Sequence, residues 1–262
     1  MSRTWFDRFW THEDICPRLK WLLDNLDEIR EEFFDNKDKL VWRPWNYGLK
    51  RYQKDWMYKA YEGWEVAGLF AEEDPTLDWG NLGYLSENKM DSSSQKYKCT
   101  GTDDNILDRV EDGIGYTKNS LVLPKLTWYL RNAGVTRRAG ISVTDPSSGI
   151  DWHVDRDPED DDTMLIRGLI GLDVRIKFDE ECYIGIGTPK HEDKHDIRTG
   201  VDLFFYNRVP HHVVNRLEHP RYCILVDIPV PKATLRNKYL HGRKYQHSYN
   251  RTTGEGSRDP TR

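Results

Sequence analysis

Apolar residues recur at helical spacing near the start of the chain and at strand spacing through its second half. Ile15, Leu19, Leu22, Leu23, Leu26, Ile29 and Phe33 are separated by acids, Lys and Arg, so residues 14–34 predict one amphipathic helix. Residues 40–80 are rich in Trp, Tyr and Gly and fit neither period, and residues 86–104 form a polar loop. The segments "NILDRVED" and "LPKLTWYLRNAG" predict two further helices, the second with Pro124 near its start and Gly134 just past its end. From Arg138 onward the period changes to two. Strands are predicted near 139–144, 150–155, 164–174, 182–187, 201–206, 211–215 and 221–230, separated by turns such as Pro146-Ser147-Ser148-Gly149.

Short strands without a βαβ rhythm predict two packed antiparallel sheets. The expected fold is α+β, mainly β: a double-stranded β-helix, jelly-roll or cupin-like, with an N-terminal helical elaboration. Three regions follow. Residues 1–136 form a helical, aromatic part packing on the core, and 137–231 form the β core. Residues 232–262, with eight Lys/Arg against two acids, form a basic, loosely ordered tail.

A net charge of −5 over 262 residues is mild and does not argue for a nucleic-acid binder as a whole. Neither a membrane-spanning apolar run nor a signal peptide is found. Cys16, Cys99, Cys182 and Cys223 are widely spaced, with no CxxC pair, as for free thiols in a reducing compartment. A soluble, intracellular protein is expected, with no membrane partner. The oligomeric state is left open.

The candidate chemistry begins at "IDWHVD" (150–155). Strict alternation places Ile150, Trp152 and Val154 on one face and Asp151, His153 and Asp155 on the other. His153 and Asp155 are then roughly 6.6–7 Å apart along the strand, close enough to lean onto one ion. A third ligand is available at His211 or His212, where a strand opens after a Pro turn. Ten residues beyond His211, Arg221 heads the apolar strand "RYCILVDI". A buried cation there needs an anionic partner, and a dicarboxylate suits its planar fork.

Two histidines and one carboxylate with open positions make the facial triad of non-haem Fe(II) oxygenases. The same ligands could hold zinc for a metal-dependent hydrolase, or serve a non-catalytic cupin-like metal-binding module. A polar strand face is the plain alternative for His153 and Asp155 alone. Arg221 favours the oxygenase, since a hydrolase has no stated need of it.

Residues 139–229 resemble the catalytic domain of the aspartyl/asparaginyl β-hydroxylase family of Fe(II)/2-oxoglutarate dioxygenases. The matching pieces are "ISVTDPSSGIDWHVD", "LIRGLIGLDV", "CYIGIG", "GVDLFFYNRVPHHVVN" and "RYCILVDI". The resemblance implies Fe(2+) on His153, Asp155 and His211, with His211 rather than His212 as the second histidine. It also implies 2-oxoglutarate held by Arg221 with help from Ser142, and Arg167 near the keto-acid end. O2 would be consumed, with succinate, CO2 and a hydroxylated amino-acid or peptide side chain as products.

Two departures shift the expected substrate. Animal members acting on peptides have glycine where this chain has Asp155, so the present triad is like that of free-amino-acid (proline-type) hydroxylases. A family histidine two positions after the matched Arg167 is Leu169 here. Elsewhere, "DRDPEDDD" lacks the glycine and final Glu of a calcium loop. Its acids at 157–162 are expected at the mouth of the site, as a lid or as ordinary solvated surface. His191 and His195 are expected on a solvated loop, and Trp56 and Trp64 in the core or lining the pocket.

Overall fold

The computed structural model describes residues 9–44, 63–72, 107–111, 113–155, 162–172 and 181–235. Its longest strand is β13, Arg221–Pro231, and the rest of the architecture is built around it. Successive side chains of this strand enter two different cores. Ile224, Val226 and Ile228 pack in one with Phe33, Leu22 and Leu130, whereas Cys223 and Leu225 pack in the other with Ile184, Ile186 and Val213. A strand buried on both faces reads as a continuous apolar run, and "CILVDI" does so but for Asp227.

Among the described residues, thirteen strands form two antiparallel sheets. The larger has nine strands in the order β1-β11-β8-β13-β6-β3-β5-β4, with β2 also pairing β3. These are β1 (Phe9–Trp10), β2 (Arg43–Pro44), β3 (Trp64–Glu72), β4 (Leu107–Glu111), β5 (Ile114–Thr117), β6 (Arg138–Thr144), β8 (Thr163–Gly171) and β11 (Asp202–Tyr206), besides β13. The smaller sheet runs β10-β9-β12-β7, from β7 (Ser148–His153), β9 (Cys182–Thr188), β10 (His191–Asp196) and β12 (His211–Asn215). The facing sheets make the expected jelly-roll.

Helices cover the outer face of the large sheet. The single helix expected over 14–34 is instead α1 (His12–Ile15), a 3-10 turn (Pro17–Leu19), α2 (Lys20–Asp24) and α3 (Leu26–Asn36). Pro17, without an N–H, ends the first piece. Asn25, with φ −115°, interrupts the last two, and its side-chain amide donates to the Trp21 carbonyl at 2.7 Å. Leu19, Leu22, Leu26, Ile29 and Phe33 are still buried along one stripe, because period, not continuity, sets the face. After α4 (Asn119–Val122) comes α5 (Pro124–Ala133), which ends at Gly134 with φ +88° as its sequence predicts. The Glu32 carboxylate accepts from the Lys125 and Leu126 amides at 2.8 and 2.9 Å, capping α5 with a residue of α3.

Two expected elements differ. Within "NILDRVED", Leu107–Glu111 is strand β4 rather than helix, paired antiparallel with β5 as the two arms of a hairpin. Gly113 has φ +72°, the left-handed conformation such a turn demands. The stretch "HEDKHD", expected as a solvated loop, is β10, paired over its whole length with β9. Its polar composition fits an edge strand with a wet face. Trp56, the acids at 157–161 and most of the basic tail (236–262) lie outside the described residues. No described helix is long and apolar enough to cross a membrane.

Candidate metal centre

The pair β7–β12 brings two histidines face to face, His211 directly opposite His153, their ring centroids 4.1 Å apart. Next along the ladder, however, Val213 pairs with Ile150. Two residues of β7, Asp151 and Trp152, therefore oppose the single His212 of β12, which is a β-bulge. This corrects the strict alternation expected of "IDWHVD". Ile150 and His153 both face the space between the sheets, while Trp152 turns outward to stack on His212 at 4.2 Å. Val154, 40% exposed, follows Trp152 outward. The bulge re-aims the histidine without breaking the sheet.

Beyond the end of β7, the Asp155 amide donates to the Asn207 carbonyl at 3.1 Å, which turns the Asp155 side chain back toward the histidines. One ligand atom from each of His153, Asp155 and His211 lies within 4.8 Å of the other two. Both rings are fixed by backbone carbonyls, which can only accept. Nδ1–H of His153 donates to Asp151 and that of His211 to Val209, at 2.7 and 2.8 Å. Each Nε2 is thus the unprotonated nitrogen of a neutral ring. Burial pushes both pKa values down, His211 well below the ordinary histidine range, with its neighbour His153 adding to the effect. The Asp155 carboxylate partly opposes this at His153. Neutral imidazoles beside a carboxylate are competent ligands for a divalent metal.

His212 takes no part in this cluster. On the outer face of the small sheet it bonds the Glu192 carboxylate through Nε2 and lies edge-on to Tyr183 at 5.5 Å. His195 packs against Phe9 at 5.1 Å and likewise sits outside the cluster.

Arg221 lies in the same pocket, with Ser142, Trp64 and Arg167. It is only 2% exposed, yet its Nε and Nη1 have no hydrogen-bond partner among the described residues. Burial pushes the neighbouring Cys182 thiol up to about 11, against the pull of the Arg221 charge, so no thiolate neutralises the guanidinium. Ser142 Oγ accepts from Trp64 Nε1 at 2.7 Å, which leaves its own proton to donate elsewhere. Leu169, Ile184 and Phe205 supply an apolar wall.

Arg167 is held differently. Its Nε and Nη2 donate to the two oxygens of Asp227 at 2.9 and 3.0 Å, and its Nη1 donates to Asp155 Oδ2. Asp227, fully buried, also accepts from Arg138 Nε at 2.7 Å. Burial would lift the Asp227 carboxyl, but the guanidiniums of Arg138 and Arg167 outweigh it and hold it at about 2. Neither Asp227 nor Arg138 stood out from the sequence, although a charge inside an apolar strand, the signal that marked Arg221, applies equally to Asp227.

With that geometry in hand, the chain can be set beside known proteins. Among solved structures it is similar to a prolyl hydroxylase from Trichoplax adhaerens in complex with a hypoxia inducible factor oxygen degradation domain peptide fragment. Identity there is 12%, with 86% of this chain and 91% of that one covered and a TM-score of 0.43. A 2OG-Fe(II) oxygenase family oxidoreductase from Burkholderia pseudomallei gives 11%, 78%, 76% and 0.40 for the same quantities. A prolyl-4-hydroxylase from Pseudomonas putida gives 16%, 42%, 62% and 0.30, so the match spans under two thirds of that protein's length. No match was found among curated proteins. The family model for aspartyl/asparaginyl beta-hydroxylase matches residues 23–231, which take in every strand from β2 to β13 and all the residues of the cluster. The chain belongs to the aspartyl/asparaginyl beta-hydroxylase family.

Proposed function

We propose that the protein is an Fe(II)- and 2-oxoglutarate-dependent dioxygenase that hydroxylates an amino-acid or peptide side chain. The observation that carries this reading is Arg221: a buried guanidinium, with two nitrogens lacking hydrogen-bond partners among the described residues, in the same pocket as a His-Asp-His cluster. A buried cation left so is costly unless a ligand completes it. A dicarboxylate reaching from the guanidinium to a metal does so. A hydrolytic metal site would leave Arg221 without a task.

Fe(II) suits His153, Asp155 and His211, whose donor set is two neutral imidazole nitrogens and a carboxylate. With iron and 2-oxoglutarate bound, the chemistry supplied is oxidative: O2 is consumed, 2-oxoglutarate becomes succinate and CO2, and the second oxygen atom enters a substrate C–H bond. The chain's own residues prepare for this. Carbonyls of Asp151 and Val209 lock the imidazole tautomers, so no proton has to leave Nε2. Arg221 neutralises and orients the far carboxylate through its fork, and Ser142, held by Trp64, donates a hydrogen bond beside it. Leu169, Ile184 and Phe205 keep water from the cosubstrate's chain.

Succinate release tests this directly. Purified protein with Fe(II), 2-oxoglutarate and O2 is offered a panel of free amino acids, proline included, and Asp- or Asn-bearing peptides. Stoichiometric succinate and a product heavier by one oxygen, for at least one substrate, is the expected result. Release of a hydrolysis product without succinate would replace the oxygenase with a hydrolase, and metal binding with no turnover across the panel would favour a binding module.

A further inference from the structure

The two oxygens of Asp155 have separate surroundings. Oδ1 faces His153 Nε2 at 3.8 Å, while Oδ2 accepts from Arg167 Nη1. The Arg167 guanidinium is itself clamped along its other edge, Nε and Nη2 on the two oxygens of Asp227. Asp227 is held in turn by Arg138. These last three residues are direct cross-strand partners, Arg138 with Asp227 between β6 and β13, and Asp227 with Arg167 between β13 and β8. All three are buried, at 1%, 0% and 3% exposure. A row of alternating charges thus crosses three neighbouring strands of the large sheet and ends on a carboxylate of the metal cluster.

We propose that Arg167 is a positioning residue for the metal, fixing Asp155 as a one-oxygen ligand with Asp227 and Arg138 as its buried support, rather than a cosubstrate-binding residue. The inference rests on the metal-centre reading above and refines it. Asp155 lies past the end of its strand, where a carboxylate would otherwise rotate or chelate with both oxygens. Holding Oδ2 on a guanidinium that two hydrogen bonds to Asp227 immobilise leaves Oδ1 as the ligand atom and keeps the remaining coordination positions for cosubstrate and O2. Unlike Arg221, Arg167 already has two carboxylates on its fork.

The test is a Co(II) titration of the full chain by calorimetry and visible absorption, without 2-oxoglutarate, on five proteins: the wild type, Arg167→Met, Arg167→Lys, Asp155→Ala and Asp155→Ala/Arg167→Met. Loss of a residue that orients a metal ligand typically weakens affinity about 10–100-fold. Arg167→Met is expected to do so and to alter the Co(II) spectrum. The double variant is expected to bind no more than about threefold more weakly than Asp155→Ala alone, since Arg167 acts through Asp155. Arg167→Lys keeps a cation beside Asp227 but cannot bridge both carboxylates, so it is expected to weaken Co(II) in the same direction and decides the matter if the Met variant does not fold. Affinity within about fivefold of wild type in the folded variants, with 2-oxoglutarate binding weakened instead, would overturn the proposal and return Arg167 to the cosubstrate. Absence of Co(II) binding by the wild type would overturn the metal-centre reading as well.

Discussion

Replacing Asp227 by Asn removes one charge from between two buried guanidiniums while keeping the shape of the side chain. Asp227 is fully buried and accepts hydrogen bonds from Arg138 and Arg167 at 2.7 to 3.0 Å. Its carboxyl is held at about 2, against an ordinary value near 3.8. That depression is worth on the order of 2 kcal/mol of stability at neutral pH. The substitution also removes a counter-charge that two buried cations share, and breaking such a pair from one side costs about 3–5 kcal/mol. Asp227→Asn is therefore expected to lose about 3–5 kcal/mol at pH 7 in urea unfolding followed by circular dichroism. Because the folded pKa is depressed, the wild-type contribution is complete above pH 4 and is lost as pH falls from about 3.8 toward 2. The difference between the two proteins should accordingly narrow below pH 4. A variant within about 1 kcal/mol of wild type at pH 7, or a gap unchanged down to pH 3, would refute the reasoning.

Three further outcomes are expected. His211→Ala abolishes tight Fe(II) binding whereas His212→Ala retains most of it, since His212 faces Trp152 and Glu192; calorimetry showing the reverse would misassign the ligand. Trp64→Phe removes the donor to Ser142, a hydrogen bond worth about 1 kcal/mol, and should raise KM for 2-oxoglutarate about fivefold with metal affinity unchanged. An unaltered KM would leave Trp64 a packing residue. Metal affinity should fall less than about threefold between pH 7.5 and 6, because burial holds His153 and His211 neutral, whereas two histidines of ordinary pKa would lose about tenfold.

Much of the β core was legible because its strands show either alternation, where one face is wet, or short apolar runs between turn residues, where both faces are buried, and the seven strands expected after Arg138 all appear. The His-Asp-His grouping was legible for a chemical reason: His153 and Asp155 stand together at the end of a strand, and the structure brings His211 to them. Other features depend on pairing rather than local pattern. The bulge at Asp151-Trp152 is defined only by the register of β12, so alternation alone put Ile150 on the wrong face. In "NILDRVED" the spacing of Leu107 and Val110 suits a helix turn, and only the pairing with Ile114–Thr117 decides in favour of the hairpin. Strand β10 has too few apolar residues to announce itself and owes its form to β9. The row from Arg138 to Asp155 joins residues far apart in sequence, and only the order of the strands brings them together.

In the proposed function one pocket holds both Fe(II), on His153, Asp155 and His211, and 2-oxoglutarate, on Arg221. Anaerobic titration of 2-oxoglutarate into Fe(II)-loaded protein, followed by the visible charge-transfer absorption of the chelate, tests both halves at once. Wild-type protein should bind one Fe(II) and develop the band at saturable 2-oxoglutarate. His211→Ala should give no band. Arg221→Ala should keep its Fe(II) but require far more 2-oxoglutarate, by a loss of about 2–5 kcal/mol for a sheltered charge-assisted fork. Full Fe(II) binding with the same 2-oxoglutarate affinity in wild type and Arg221→Ala would contradict the account.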